Sequence, residues 1–259
     1  MLRFRLALAS LALSLLVAAG TDAATIRSWD DANQRGGDIL GAGGGALEYG
    51  SFETALLGAG HTILPGVASL SPANLAGVDV FFWGTSSHLL NAAESAALSA
   101  FILGGGSLIL ETNSAQNEAD SANSGYNALG LGNRVLGVQG GNVGGFFQNV
   151  ISATTVGPHG DLRNQRFDGS VARNIDPSGH LLVGVNDAAV TSWVEFSVGA
   201  GAVLGVGDPY GFNLFDGNPN NINAYLNFIA NQQAPEPTTL ALVGLGLVGI
   251  GILSRRRRS

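Results

Sequence analysis

The chain has no cysteine and no lysine, and its single methionine is Met1. Without cysteine there is no disulfide, no thiolate metal site and no sulfur nucleophile, so burial of apolar surface has to hold any fold together. Charge is scarce, at 12% of residues. Between residues 24 and 234 there are 17 Asp and Glu against 6 Arg, a net of −11. A surface of that sign is repelled by phosphate backbones, which excludes nucleic acid as a partner. The four histidines (61, 88, 159 and 180) lack metal-ligand spacing, such as two His four apart on a helix, so neither a metal nor another cofactor is expected. No glycine cluster carries the lysine of a phosphate loop. The Thr-rich array that an ice- or mineral-binding surface would need is also missing.

What is present at the start is "MLRFRLALASLALSLLVAAGTDAAT". Arg3 and Arg5 precede an apolar segment, Leu6 to Val17, and Thr21 and Ala23 are small residues placed before a cut at Ala24. This layout predicts a secretory signal peptide over residues 1–23 and export through the Sec machinery. A buried N-terminal helix is the alternative, and the flanking arginines suit it less well.

The other end reads "APEPTTLALVGLGLVGIGILSRRRRS". The uncharged run Leu240–Leu253 is fourteen residues, and Thr238, Thr239 and Ser254 extend it to seventeen. Seventeen is the lower limit for a membrane span, and Arg255, Arg256, Arg257 and Arg258 would hold its end on the cytoplasmic side. Pro235 and Pro237 keep the Glu236 peptide extended and accessible to a processing enzyme. This three-part tail resembles the PEP-CTERM sorting signal of Gram-negative bacteria. The resemblance implies an exosortase that recognises Pro235-Glu236-Pro237 and removes the transmembrane helix (240–254) and the Arg cluster (255–259). A plain single-pass anchor is the alternative reading of the same tail.

Residues 24–231 are long enough for one domain, followed by a linker over 232–239. "ATIRSW", Val78–Trp83 and "SLILE" read as strands, as do "SWVEF" and "GAVLGVGD" later on. Helices are expected at Ser51–Leu57, after Ser71-Pro72, at "NAAESAALSAFIL" with Asn91 and Glu94 as a capping box, at "YNALG", and at "NNINAYLNFIAN". In the last, Ile222, Tyr225, Leu226 and Ile229 share a face. Gly41–Gly45 and Gly137–Gly145 read as loops. Strand and helix alternate as in an α/β domain with a largely parallel sheet and helices on both faces.

The stretch "GHTI…LSPANLAGVDVFFWGTSSHLLNAAESAALSAFILGGGSLIL" is similar to the core of class I glutamine-amidotransferase-like domains. That resemblance implies a flavodoxin-like fold. Active members place a cysteine nucleophile on a turn after a central strand, where this chain reads "LILETNSAQNEAD". Glutaminase chemistry is therefore excluded.

Ligands of such sheets bind beyond the carboxyl ends of the strands. The candidate rim there is Asp30, Asp31, His88, Glu111, Asn113 and Asp208. Ser114 with His88 or His159 and Glu111 could form a triad, but no GxSxG elbow surrounds the serine. Glu111 with Asp208 or Asp30 could act as acid and base on a glycoside, or simply cap the next helix. Asp208, Asn213, Asp216 and Asn218 could ligate calcium, although they do not fit the twelve-residue calcium loop. Two functions remain open. One is an exported cell-surface or matrix protein, anchored transiently in the inner membrane, with a non-catalytic binding or structural domain that meets extracellular polysaccharide. The other is an exported carbohydrate hydrolase.

Overall fold

Four consecutive large apolar residues, Val80–Trp83, are all buried, which a strand achieves only when both faces of its sheet are covered. In the computed structural model that strand lies inside a seven-stranded sheet. The structure describes residues 23–30, 46–112, 115–138, 148–149, 156–157, 160–161, 166–167, 173–176, 178, 180–185, 190–207 and 219–233. The strands are β1 (Thr25–Trp29), β2 (Thr62–Val67), β3 (Val80–Trp83), β4 (Ser107–Glu111), β5 (Val135–Val138), β6 (Arg173–Ile175), β7 (His180–Val185), β8 (Val190–Val198) and β9 (Gly201–Val206). The helices are α1 (Ala46–Gly58), α2 (Pro72–Leu75), α3 (Ala92–Leu103), α4 (Gln116–Ala128) and α5 (Pro219–Gln233).

The sheet order is β7-β8-β9-β4-β3-β1-β2. Parallel pairing joins β2, β1, β3, β4 and β9, while β8 runs antiparallel to both of its neighbours. The strand order β2-β1-β3-β4-β9 is the 2-1-3-4-5 order of a doubly wound sheet, with a topological switch point between β1 and β3. The antiparallel strand follows from a short connection. Val198 pairs with Gly201 across a two-residue turn, and Gly199 has φ +62°, a backbone state that glycine adopts without penalty.

Period-two alternation splits the apolar residues between two cores. Ile26, Val80, Phe82, Ile109 and Leu204 face Phe52 and Leu56 of α1 and Tyr225, Phe228 and Ile229 of α5. Trp29, Phe81, Trp83, Leu108 and Leu110 face Leu98 and Ile102 of α3 and Ala122 and Tyr126 of α4. Helices therefore cover both faces. At about 25 cal/mol per Å2, each large side chain so buried contributes roughly 1.5–3 kcal/mol.

Local signals set the helix starts. The Ser71 hydroxyl accepts from Asn74 N at 3.2 Å with Pro72 at the first helical position. Asn91 and Glu94 form the reciprocal capping box of α3. Three expectations need correction. Helix α1 begins at Ala46, five residues before Ser51. Helix α4 begins at Gln116, ten residues before the "YNALG" segment. Its sequence, QNEADSANSGYNA, has too little apolar periodicity to announce a helix, and its buried face joins the small residues Ala119, Ser121, Ala122 and Gly125 to Glu118 and Tyr126. Gly137 lies within β5 rather than in a loop.

Between α4 and β7 three antiparallel pairings are nested in sequence: β5 with β6, Gln148–Asn149 with Arg166–Phe167, and Val156–Gly157 with Gly160–Asp161. The outermost is tied down by its ends. Asn123 Oδ1 accepts from Arg134 N and Val135 N, and Arg134 pairs with Asp176 at 2.9 Å. Residues Ala23–Gln232 form one compact unit. Among the described residues no helix is long and apolar enough to cross a membrane. Residues 1–22 of the expected signal peptide, the Gly41–Gly45 loop and the expected transmembrane run 240–254 lie outside the described residues.

Candidate functional site at the carboxyl edge of the sheet

Asp30 follows β1, Ser86, Ser87 and His88 follow β3, and Glu111 and Thr112 close β4, so the switch point has polar residues on each strand beside it. Strand β3 carries the chain into a short segment that ends at the cap of α3, and this segment positions His88. Its Nε2 lies 2.9 Å from Glu94 Oε2, and its ring lies 4.9 Å from that of Trp29. Trp29 in turn stacks on Trp83 at 4.9 Å, as expected for the ends of neighbouring strands.

Glu94 has two roles there. It accepts the Asn91 backbone N–H at 3.1 Å to complete the capping box, and it holds the imidazole. Burial pushes its carboxyl pKa up, but hydrogen bonds from His88 and from the backbone of Asn91 and Leu70 outweigh that and bring it below the ordinary value.

Glu111 sits on the opposite face. It is 1% exposed, and its Oε1 accepts a 2.7 Å hydrogen bond from the Tyr225 hydroxyl of α5. Glu94 is a carboxylate that His88 meets, and Ser114, the serine of the conceivable triad, lies outside the described residues. Asp30 and Glu111 end strands with β3 between them, which sets their Cα atoms about 10 Å apart. The Asp30 backbone N–H donates to Val67 O at 2.7 Å, locking the end of β1 to β2. Asp31, Asn113, Ser114, His159, Asp208, Asn213, Asp216 and Asn218 lie outside the described residues, as do Pro235–Pro237 and Arg255–Arg258. Among the described residues no group of three or more His, Cys, Asp or Glu is disposed to hold a metal.

Reasoning from sequence put Thr112 on the rim and Tyr225 on the apolar face of a helix, but gave no site role to Trp29, Trp83, Tyr225 or the hydroxyls of Thr85 and Ser121. An aromatic at the last position of a central strand was the available signal for the two tryptophans. The hydroxyls gave none, because Ser and Thr after a strand are ordinary turn chemistry and Ser121 lies inside a helix of polar sequence.

Residues 233–258 match the PEP-CTERM protein-sorting motif. The match supports reading the tail as an exosortase substrate. No curated protein matches the chain in sequence. In fold it is similar to the mmIFT52 N-terminal domain, at 11% identity and a TM-score of 0.57, covering 82% of this chain and 98% of that one. It is also similar to the cytoplasmic protein STM3548 from Salmonella typhimurium, at 11% identity and a TM-score of 0.53, covering 80% and 97%. A cold-adapted β-galactosidase from Rahnella sp. R3 aligns at 14% identity and a TM-score of 0.50, covering 81% of this chain. The chain spans only 30% of that β-galactosidase's length. These likenesses show a shared mixed α/β fold.

Proposed function

We propose that the chain is an exported surface or matrix protein, trimmed at its tail by an exosortase, whose α/β domain binds extracellular polysaccharide without cleaving it. The observation that carries the non-catalytic part is the engagement of Glu111. A general acid or base must reach the scissile bond, and this carboxylate is buried against Tyr225. The 2-1-3-4-5 order of the parallel strands supports reading the domain as a flavodoxin-like scaffold, and without cysteine it carries no thiol nucleophile.

A hydrolase is the second reading. The observation in its favour is the fold likeness to a β-galactosidase, of which this chain matches one part. Incubating the purified protein with the extracellular polysaccharide of its host separates the two. Co-sedimentation with polymer of unchanged length is expected. Shortening of the polymer that Glu111→Gln abolishes would overturn the proposal in favour of the hydrolase.

A further inference from the structure

The expected cut before Ala24 falls where the fold begins. Ala23 is exposed, whereas Ala24 is 0% exposed and belongs to the core cluster of Ile26, Phe52 and Leu56. Both backbone groups of Ala24 are engaged. Its N–H donates to His61 Nδ1 at 3.0 Å, and its carbonyl accepts from Thr62 N at 2.9 Å. One residue on, Thr25 N donates to Asp79 Oδ2 at 2.7 Å, and Thr25 O accepts from Asp79 N at 2.8 Å. The first residues of the domain are thus stitched to the starts of β2 and β3.

Local structure places His61 for this contact. Gly60, with φ +89°, turns the chain out of α1, and His61 N donates to Leu56 O at 3.1 Å, which fixes the residue ahead of β2. His61 is buried, and burial lowers its pKa below the ordinary 6.5, so at neutral pH the ring is uncharged. Its Nδ1 accepts in the tautomer that carries the proton on Nε2.

We infer that Ala23–Ala24 is the bond an export peptidase hydrolyses, and that the α-amino group it creates is a structural contact, held at His61 Nδ1 in place of the amide. The inference rests on the reading of the chain as exported. The cut consumes one water. Its oxygen joins the Ala23 carbonyl carbon, the C–N bond breaks, and both protons of the water end on the nitrogen. A carboxylate leaves on the released segment and an ammonium stays on the domain. One N–H of that ammonium meets His61 Nδ1, and another takes the direction of the broken bond, where Ala23 stood exposed. Asp79, bonded to the next residue's N–H, supplies charge of opposite sign beside the new cation.

The same contacts fix the order of events. A peptidase must draw the residues on both sides of its bond out of the fold and into its own cleft. Here the residue after the bond is buried, and the next one opens β1 in register with Thr62. The cut therefore precedes the docking of β1 between β2 and β3, and docking covers the new end.

The test can read a single group, because a chain without lysine has its α-amine as the only primary amine. The protein is isolated from its native host, its first residue is determined by mass spectrometry, and the amine is reductively methylated at neutral pH with and without urea. The first residue should be Ala24. Methylation of the folded protein should be about tenfold slower than in urea. His61→Leu should remove most of that protection, and His61→Asn, which keeps an acceptor, should retain it. Imidazole nitrogen shifts of the wild type give a reading that needs no variant: Nδ1 without a proton is expected, and a protonated Nδ1 would sink the contact. For the order of events, the full precursor is given to purified signal peptidase in detergent. Precursor added from urea should be cut and precursor folded beforehand should not, whereas equal cutting of both would overturn the order. An exported protein that starts at another residue, or an amine methylated equally fast folded and unfolded, ends the inference and leaves the export reading standing. A host protein that keeps residues 1–23 ends the export reading, and the inference with it.

Discussion

The Tyr225 hydroxyl donates to Glu111 Oε1 at 2.7 Å, joining α5 to the end of β4 across 114 positions of sequence. Both residues are almost fully buried. This bond fixes a carboxylate that the sequence offered as a rim residue, and it closes the final helix onto the central strands. Tyr225→Phe removes the donor and nothing else of size. It should cost about 1–3 kcal/mol, the range for leaving a buried polar group short of a partner. Urea unfolding checks this, and a loss below a few tenths would show that Glu111 does not depend on Tyr225.

The cap of α3 makes a second prediction. Asn91 Oδ1 accepts from Ala93 N and Glu94 N, so Asn91→Ala should cost about 0.5–2 kcal/mol. Glu94→Gln keeps an acceptor for Asn91 N but replaces the carboxylate that His88 Nε2 meets at 2.9 Å by a neutral amide. It should destabilise the protein at neutral pH, and this should show in the same unfolding curves.

Acid should weaken the fold in two windows. His61 Nδ1 accepts from Ala24 N at 3.0 Å, and burial lowers its pKa below 6.5 in the folded state. The unfolded chain therefore takes up the proton first. Stability should fall as the pH drops below about 6.5 and level off for this group once its folded pKa is passed. His61→Asn retains an acceptor and should flatten that slope. Glu94 and Asp176 act lower, since both carboxyls sit below their ordinary values of 4.5 and 3.8. For Asp176, burial raises the pKa but the Arg134 and Ser178 hydrogen bonds lower it further. The stability these two lend is complete above those values and is lost as the pH falls through their folded pKa values. Urea midpoints measured from pH 7.5 down to about 3 would resolve both windows.

Gly205 offers a test of close packing. A Cβ there would stand 2.1 Å from the Tyr126 hydroxyl, so Gly205→Ala should cost about 1–3 kcal/mol through overpacking. Tyr126→Phe should recover much of that loss in the double variant, because it removes the clashing atom. Thermal melts of the four proteins form the cycle, and strict additivity would contradict the contact.

The tail makes a prediction in the native host. The intact mass of the surface protein should lack residues 1–23 and everything beyond the Pro-Glu-Pro region. Changing Pro235, Glu236 and Pro237 to Ala should leave residues 240–259 attached and the protein in the membrane fraction. A wild-type mass that retains the tail would instead identify a permanent anchor.

The sequence by itself determined the local features. Ser71-Pro72, the Asn91–Glu94 box and the apolar run Val80–Trp83 announce their elements because each depends on neighbours a few residues away. The Pro-Glu-Pro tail was legible for the same reason. A continuous apolar strand also implied cover on both faces, and hence the α/β class. Tertiary structure decided the rest. The polar composition of α4 hid a helix whose place is set by close approach to Trp83 rather than by its own apolar stripe. The antiparallel direction of β8 follows from a two-residue turn that no periodicity distinguishes from a longer crossover. Glu111 and Glu94 read alike as acidic residues beside a strand or a helix. Only the fold turns one toward Tyr225 and the other toward His88, because a side chain's partner depends on which face of the sheet it meets. One residue of register reverses that face.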